Sequence, residues 1–123
     1  MVAVSFGAML LVSIVVTCFH IAGQALCGNE TITEAVSPDS RHRAVAFVRD
    51  CGATTPFSTQ VALLRDGVDL PNDPGNLADA DGKWSVELSW SPDGRLVVQY
   101  PAGVPLRFAE RSVDGVAVHY EPR

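Results

Sequence analysis

The first 29 residues, MVAVSFGAMLLVSIVVTCFHIAGQALCGN, contain no Asp, Glu, Lys or Arg. That single feature divides the chain. Val2 to Ala22 meets the roughly 20 apolar residues that a helix needs to cross a bilayer, with only Ser, Thr and His20 as polar interruptions. A cleaved signal peptide is the rival reading. Its apolar region is usually shorter and follows a basic stretch; here no basic residue precedes the run, although Gly23-Gln24-Ala25 offers small residues at a cleavage spacing. A transmembrane anchor or signal segment is therefore expected over 1–26, with an extracytoplasmic domain over 27–123. Lipid attachment is disfavoured because Leu26 precedes Cys27 and Thr17 precedes Cys18. The charge rule for orientation is almost silent, since the N-terminal side has no Lys or Arg. Glu30 and Glu34 follow the run and the first Arg is Arg41, so nothing basic holds the domain in the cytoplasm. His20, near the end of the run, reads as a neutral interfacial group.

Cys18 lies inside the apolar run and reads as a small buried hydrophobe, which leaves Cys27 and Cys51 for the domain. Two cysteines allow one intramolecular disulfide, and closing the loop between them stabilises by about 3 kcal/mol in the loop-entropy model. Such a bond persists in an oxidising compartment. The spacing suits no metal: there is no Cys-x-x-Cys and no neighbouring His.

From Arg43 onward the hydrophobic period is that of strands. Trp84, Val86, Leu88 and Trp90 fall on one face, with Ser85, Glu87 and Ser89 on the other, as in a half-buried antiparallel strand. Arg43–Asp50, Gln60–Arg65, Arg95–Tyr100, Leu106–Arg111 and Val116–Tyr120 are the other strand candidates. Pro92-Asp93-Gly94, Asp66-Gly67 and Asp114-Gly115 supply turns between them. The expected fold is all-β: about six strands in a small antiparallel meander, sandwich or blade-like sheet, preceded by one apolar helix and with both Trp residues anchoring the core. Ser37-Pro38-Asp39-Ser40 and Ser91-Pro92-Asp93-Gly94 each lead into an Arg-headed apolar strand. A β-propeller needs about four blades of roughly 40 residues, so this echo reads as shared hairpin chemistry.

The run Arg49-Asp50-Cys51-Gly52-Ala53-Thr54-Thr55-Pro56-Phe57-Ser58-Thr59, preceded by the Ser-Pro-Asp turn and Ala44-Val45-Ala46-Phe47, resembles the signature of an uncharacterised bacterial family of small exported or membrane-anchored proteins. The similarity covers roughly residues 27 to 100; Pro56 and the Arg/His insertion at 41–43 depart from the pattern. The resemblance implies a domain but no activity.

The same run is the best candidate site. Asp50, Gly52, Thr54, Thr55, Ser58 and Thr59 place four hydroxyls beside a carboxylate and a glycine that permits close backbone approach. A hydrolase-like reading needs a base for these hydroxyls, and His42 and His119 are the imidazoles of the domain. The alternative is a structural turn whose hydroxyls bond local backbone. The acidic stretch from Leu64 to Lys83 invites calcium, but an EF-hand register ending at Gly82 puts Leu77 and Leu88 where the first and last ligands belong. The stretch therefore reads as a solvated acidic loop between strands, with a weak extracellular calcium contact as the alternative, and no cofactor or high-affinity metal site is expected. The net charge of −5 lies wholly beyond residue 29, and eight scattered Arg supply nearly all the basic groups. That excludes nucleic acid and electrostatic attachment to anionic lipid. The expected partners are the membrane, through the N-terminal segment, and a protein of the envelope. Two function classes remain: a membrane-anchored, non-catalytic binding or structural module, and a small hydrolase-like enzyme; secretion after signal cleavage is the alternative localisation.

Overall fold

The computed structural model describes residues 11–15 and 26–123. Residues 11–15 are helical. The rest of the expected spanning segment, His20 included, lies outside the described residues, and no helix among the described residues is long and apolar enough to cross a membrane.

Nine strands are described: β1 (Gly28–Val36), β2 (His42–Asp50), β3 (Ser58–Arg65), β4 (Ala78–Asp81), β5 (Glu87–Trp90), β6 (Leu96–Tyr100), β7 (Phe108–Ala109), β8 (Ser112–Val113) and β9 (Val116–Pro122). They form a five-stranded sheet in the order β1-β2-β3-β4-β7 and a four-stranded sheet in the order β5-β6-β9-β8. The expected all-β fold is therefore present, as a sandwich rather than a single blade. The expectation of about six strands is corrected to nine, and one pairing, β6 with β9, is parallel. A parallel pair needs a long crossover, and here Pro101 to Gly115 supplies it, placing β7 on the opposite sheet on the way.

Ala44, Ala46, Val61, Leu63, Leu77 and Ala78 meet Val86, Leu96, Val98, Val116 and Val118 between the sheets. The alternation from Trp84 to Trp90 holds: Val86 is buried, the other apolar members are half-buried, and Ser85, Glu87 and Ser89 are exposed. The tryptophans, however, flank the core rather than anchor it. Its largest fully buried side chains are Phe47, Leu77 and Leu96. Trp90 instead donates its indole N–H to the Ala35 carbonyl across the sandwich (3.0 Å).

A second apolar cluster, Val45, Phe47 and Ala62 with Leu64 and Leu70, occupies the other face of β2 and β3. These two strands are thus buried on both sides, which is why they read as near-continuous apolar runs. Their outer cover is the loop from Asp66 to Leu77, which is strapped to the sheet by hydrogen bonds while most of its side chains stay exposed. Asn29 Nδ2 donates to the Pro71 and Asp73 carbonyls, Asn72 Nδ2 to the Cys27 carbonyl, and Arg43 to the Val68 carbonyl. The buried Arg49 guanidinium reaches Asn29 and Asn72. At the end of the strap the Gly75 N–H donates to Gln60 Oε1 (2.7 Å), and Asn76 brackets the Leu63 backbone.

The two Ser-Pro-Asp segments make the same hairpin. In each, the serine hydroxyl bonds the aspartate and accepts a backbone N–H from the strand that follows, and the residue after Asp has positive φ, 60° at Ser40 and 86° at Gly94. The serine hydrogen bond, more than the nearby Arg groups, holds both Asp39 and Asp93 below the usual carboxylate range.

Two predictions follow the packing. A Cβ on Gly75 would stand 2.5 Å from the Val61 carbonyl oxygen, while one on Gly28 meets nothing within 4 Å. Gly75→Ala should therefore lower unfolding free energy in urea by about 1–3 kcal/mol, and Gly28→Ala should leave it within about 0.5 kcal/mol. Tyr120 shares its hydroxyl proton between the Leu77 and Glu110 carbonyls (2.9 and 2.7 Å). Burial, then the nearby Glu110 charge, pushes its phenol up to about 12. Because the folded value is raised, its contribution to stability is complete below the unfolded value of about 10 and is lost as pH rises through about 12. Ultraviolet titration should show a phenol step at about 12 that Tyr120→Phe removes. The variant should cost only about 0.5–1.5 kcal/mol, since the Leu77 carbonyl keeps the Glu110 N–H as a partner.

Candidate functional site

The β1–β2 register pairs Gly28 with Asp50, so the next positions outward, Cys27 and Cys51, face each other at the end of the ladder. They form a disulfide across a sequence separation of 24. The connection to β3 begins there. Asp50 Oδ1 accepts the Gly52 N–H (3.0 Å), Gly52 adopts φ 109°, and Thr55 returns both its N–H and its hydroxyl to the Gly52 carbonyl. Only glycine adopts such a φ without strain. Pro56 then hands the chain to Phe57, whose carbonyl accepts the Gly82 N–H (2.7 Å).

Three of the four hydroxyls of this run, those of Thr55, Ser58 and Thr59, are engaged in structural hydrogen bonds. Thr59, fully buried, donates to the Gly82 carbonyl (2.8 Å) and accepts the Trp84 N–H (3.2 Å), joining β3 to the β4–β5 connection. Ser58 accepts from Gln60 Nε2 (2.9 Å), and Thr54 and Thr55 are exposed. The histidines are elsewhere. His42 begins β2 while the turn follows its end, and nine residues at about 3.4 Å each put roughly 27 Å between them. His119 is exposed on β9 of the other sheet, its Nε2 3.5 Å from Glu121. Among the described residues, the structure brings neither His42 nor His119 to the hydroxyl-rich turn, so no imidazole–hydroxyl pair is assembled there.

What gathers at the Cys51 end is a surface. Leu26, Cys27, Glu30, Asp50, Phe57 and Lys83 line one shallow depression. Phe57 is 40% exposed and Leu26 71%. The Lys83 ammonium lies 4.1 Å from the centre of the Phe57 ring, within the range of a cation–π contact.

At the opposite end of β2 the structure assembles a cluster that sequence reasoning missed. Asp114, in the β8–β9 turn, receives His42 Nε2 at 2.9 Å and Arg65 Nε at 3.4 Å. Asp114 and Gly115 both have positive φ (50° and 77°), the signature of a tight hairpin turn of the primed type. The hydrogen bond from His42, followed by that from Arg65, holds the Asp114 carboxyl below its ordinary range. Ser40 and Asp66 line the same depression, yet no hydrogen bond joins Ser40 to His42. The sequence contained each part, the Asp-Gly turn and the lone imidazole, but a separation of 72 residues concealed their pairing.

The acidic stretch contributes a third polar group. Asp79 and Asp81, alternate residues of β4, both meet Arg107 Nη2, at 2.8 and 3.1 Å. These two carboxylates are thus occupied by a guanidinium. No group of three or more metal-ligating side chains occurs among the described residues.

No protein-family profile, curated protein or solved structure matches the chain.

The Asp114 cluster has a signed pH consequence. Because the folded carboxyl is depressed, its contribution is present above the unfolded value of about 3.9 and is lost as pH falls through the folded value. Asp114→Asn, which retains a residue tolerant of positive φ, should be less stable than the parent at neutral pH. The difference should shrink to nothing under strong acid, as read by urea midpoints across the acid range.

Proposed function

We propose that the chain is a membrane-tethered, extracytoplasmic β domain of the bacterial envelope that works as a non-catalytic binding or structural module. The observation that carries this reading is the Cys27–Cys51 disulfide. Such bonds persist outside the reducing cytoplasm, and this one fastens the domain at the last residues of the uncharged N-terminal run. Commitment of the Thr55, Ser58 and Thr59 hydroxyls to structural hydrogen bonds favours a scaffold over a hydrolase, and a rigid face is what a protein partner of the envelope would need.

The test is the redox state of the cysteines in native membranes. Free thiols are blocked under denaturing conditions, the protein is reduced, and newly exposed thiols are labelled with a second reagent. Peptides bearing Cys27 and Cys51 should carry only the second label, and the protein should resist extraction by alkaline carbonate. First-label modification of both cysteines would place the domain in a reducing compartment and overturn the reading. In the purified domain, Cys51→Ser should cost about 3 kcal/mol by the loop-entropy relation.

A further inference from the structure

We propose that the Cys51 end of the domain rests in the headgroup layer of the bilayer that carries the tether, with the Phe57 ring against the acyl boundary and the Lys83 ammonium among lipid phosphates. The proposal rests on the tether reading and adds to it an orientation and a contact surface.

Reach is the first argument. The apolar run ends at Ala22, and Gly23 to Leu26 are the four residues before the disulfide. From Ala22 to Cys27 is five residue steps, which fully extended span at most about 18 Å. The headgroup layer on each side of the hydrocarbon is itself about 5–8 Å deep. The disulfide allows no further slack, because Cys27 is bonded to Cys51 and Gly28 already pairs with Asp50. Whatever lies beside Cys51 is therefore held at or just above the membrane surface.

Chemistry is the second argument. The side chains found there include an exposed aromatic ring and a lysine stacked on it. An apolar body with a cationic tip is the arrangement that settles at a membrane interface, where the stem is buried and the charge stays hydrated. The backbone fixes both groups: the Gly82 N–H to the Phe57 carbonyl and the Thr59 hydroxyl to the Gly82 carbonyl tie the two segments together. Lys83 is also the only lysine in the chain. Glu30 and Asp50 line the same depression, so general attraction to anionic lipid cannot be the driving force. Insertion of the ring is, and the contact should be insensitive to salt and to anionic lipid content.

The experiment uses the full chain in phosphatidylcholine vesicles whose acyl chains are brominated near the headgroup, a quencher of indole fluorescence. Phe57→Trp introduces an indole at the proposed contact, and Val68→Trp introduces one at the far end, where Val68 is exposed and hydrogen-bonded to Arg65. Each is compared with the parent, whose two tryptophans set the background. The proposal expects the emission added by Phe57→Trp to shift to the blue and to be largely quenched, at low and high salt alike, while that added by Val68→Trp is not. Equal quenching at both positions would show an unoriented domain and overturn it. No quenching at either position, with the chain still floating with the vesicles, would overturn the contact while leaving the tether intact. A blue shift in native membranes without quenching in pure lipid would assign the surface to a protein partner instead. Failure of the chain to float with the vesicles would remove the tether and the proposal with it.

Discussion

Burial of β2 and β3 on both faces is the constraint from which the rest of the structure follows. Ala44, Ala46, Val61 and Leu63 face the second sheet, while Val45, Phe47 and Ala62 face the opposite way. No further sheet covers that outer side among the described residues. The chain covers it with a loop, and a loop brings backbone polar groups onto an apolar surface, where each left unpaired is costly. The buried side chains chosen for the outer face answer that need. Gln60 Oε1 takes the Gly75 N–H, Arg49 donates to the side-chain amide oxygens of Asn29 and Asn72, Asn29 donates to strap carbonyls, and Asn76 of the strap bonds the Leu63 backbone of β3. The close approach is only open to a residue without a Cβ, which is why Gly75 sits against Val61.

Sheet edges pose a related problem, since an exposed edge is a template for pairing with another chain. β1 is a long edge strand, and the structure interrupts it in two ways. Its register with β2 shifts between Thr31 and Thr33, so Ile32 forms a bulge, and bulges twist an edge away from further pairing. Near its end the Ala35 carbonyl is occupied by the Trp90 indole. Glu30 and Glu34 add charge along the same strand. The partner surface of such a domain is therefore better sought at the ends of the sandwich, where side chains cluster, than along β1.

All six expected strands have a counterpart: β2, β3, β5, β6 and β9, whose pattern reflects burial on one or both faces, and the exposed two-residue β7 within Leu106–Arg111. β1 was missed because GNETITEAV carries an edge strand's mixture of polar and exposed apolar residues, with a bulge that breaks alternation. β4 was hidden in the acidic stretch because Ala-Asp-Ala-Asp buries only two alanines. Their small size suits the tightly packed interior, and their alternating acids find Arg107 from a segment much later in the chain. Turn chemistry was legible wherever Pro, Asp and Gly stand together. Long-range polar pairs were not, because neither His42 nor Asp114 carries any local sign of the other. Of the candidate site, the disulfide could be reasoned from cysteine count alone, whereas the Phe57–Lys83 contact required the β4–β5 connection to be placed beside β3.

In the hydroxyl-rich turn three of the four hydroxyls, those of Thr55, Ser58 and Thr59, make structural hydrogen bonds. Thr59 is the plainest instance: its side chain is fully buried, donates to one backbone carbonyl and accepts from one backbone N–H. Recruiting that oxygen as a nucleophile would strip the Trp84 N–H of its partner and detach the β4–β5 connection from β3. The same bonds that remove it from chemistry hold Lys83 next to Phe57. Structural and functional roles at this end of the domain are thus coupled rather than alternative: a rigid turn, closed by a disulfide on one side and by Thr59 on the other, presents an aromatic ring and an ammonium in fixed relation to the point where the chain leaves for its N-terminal segment.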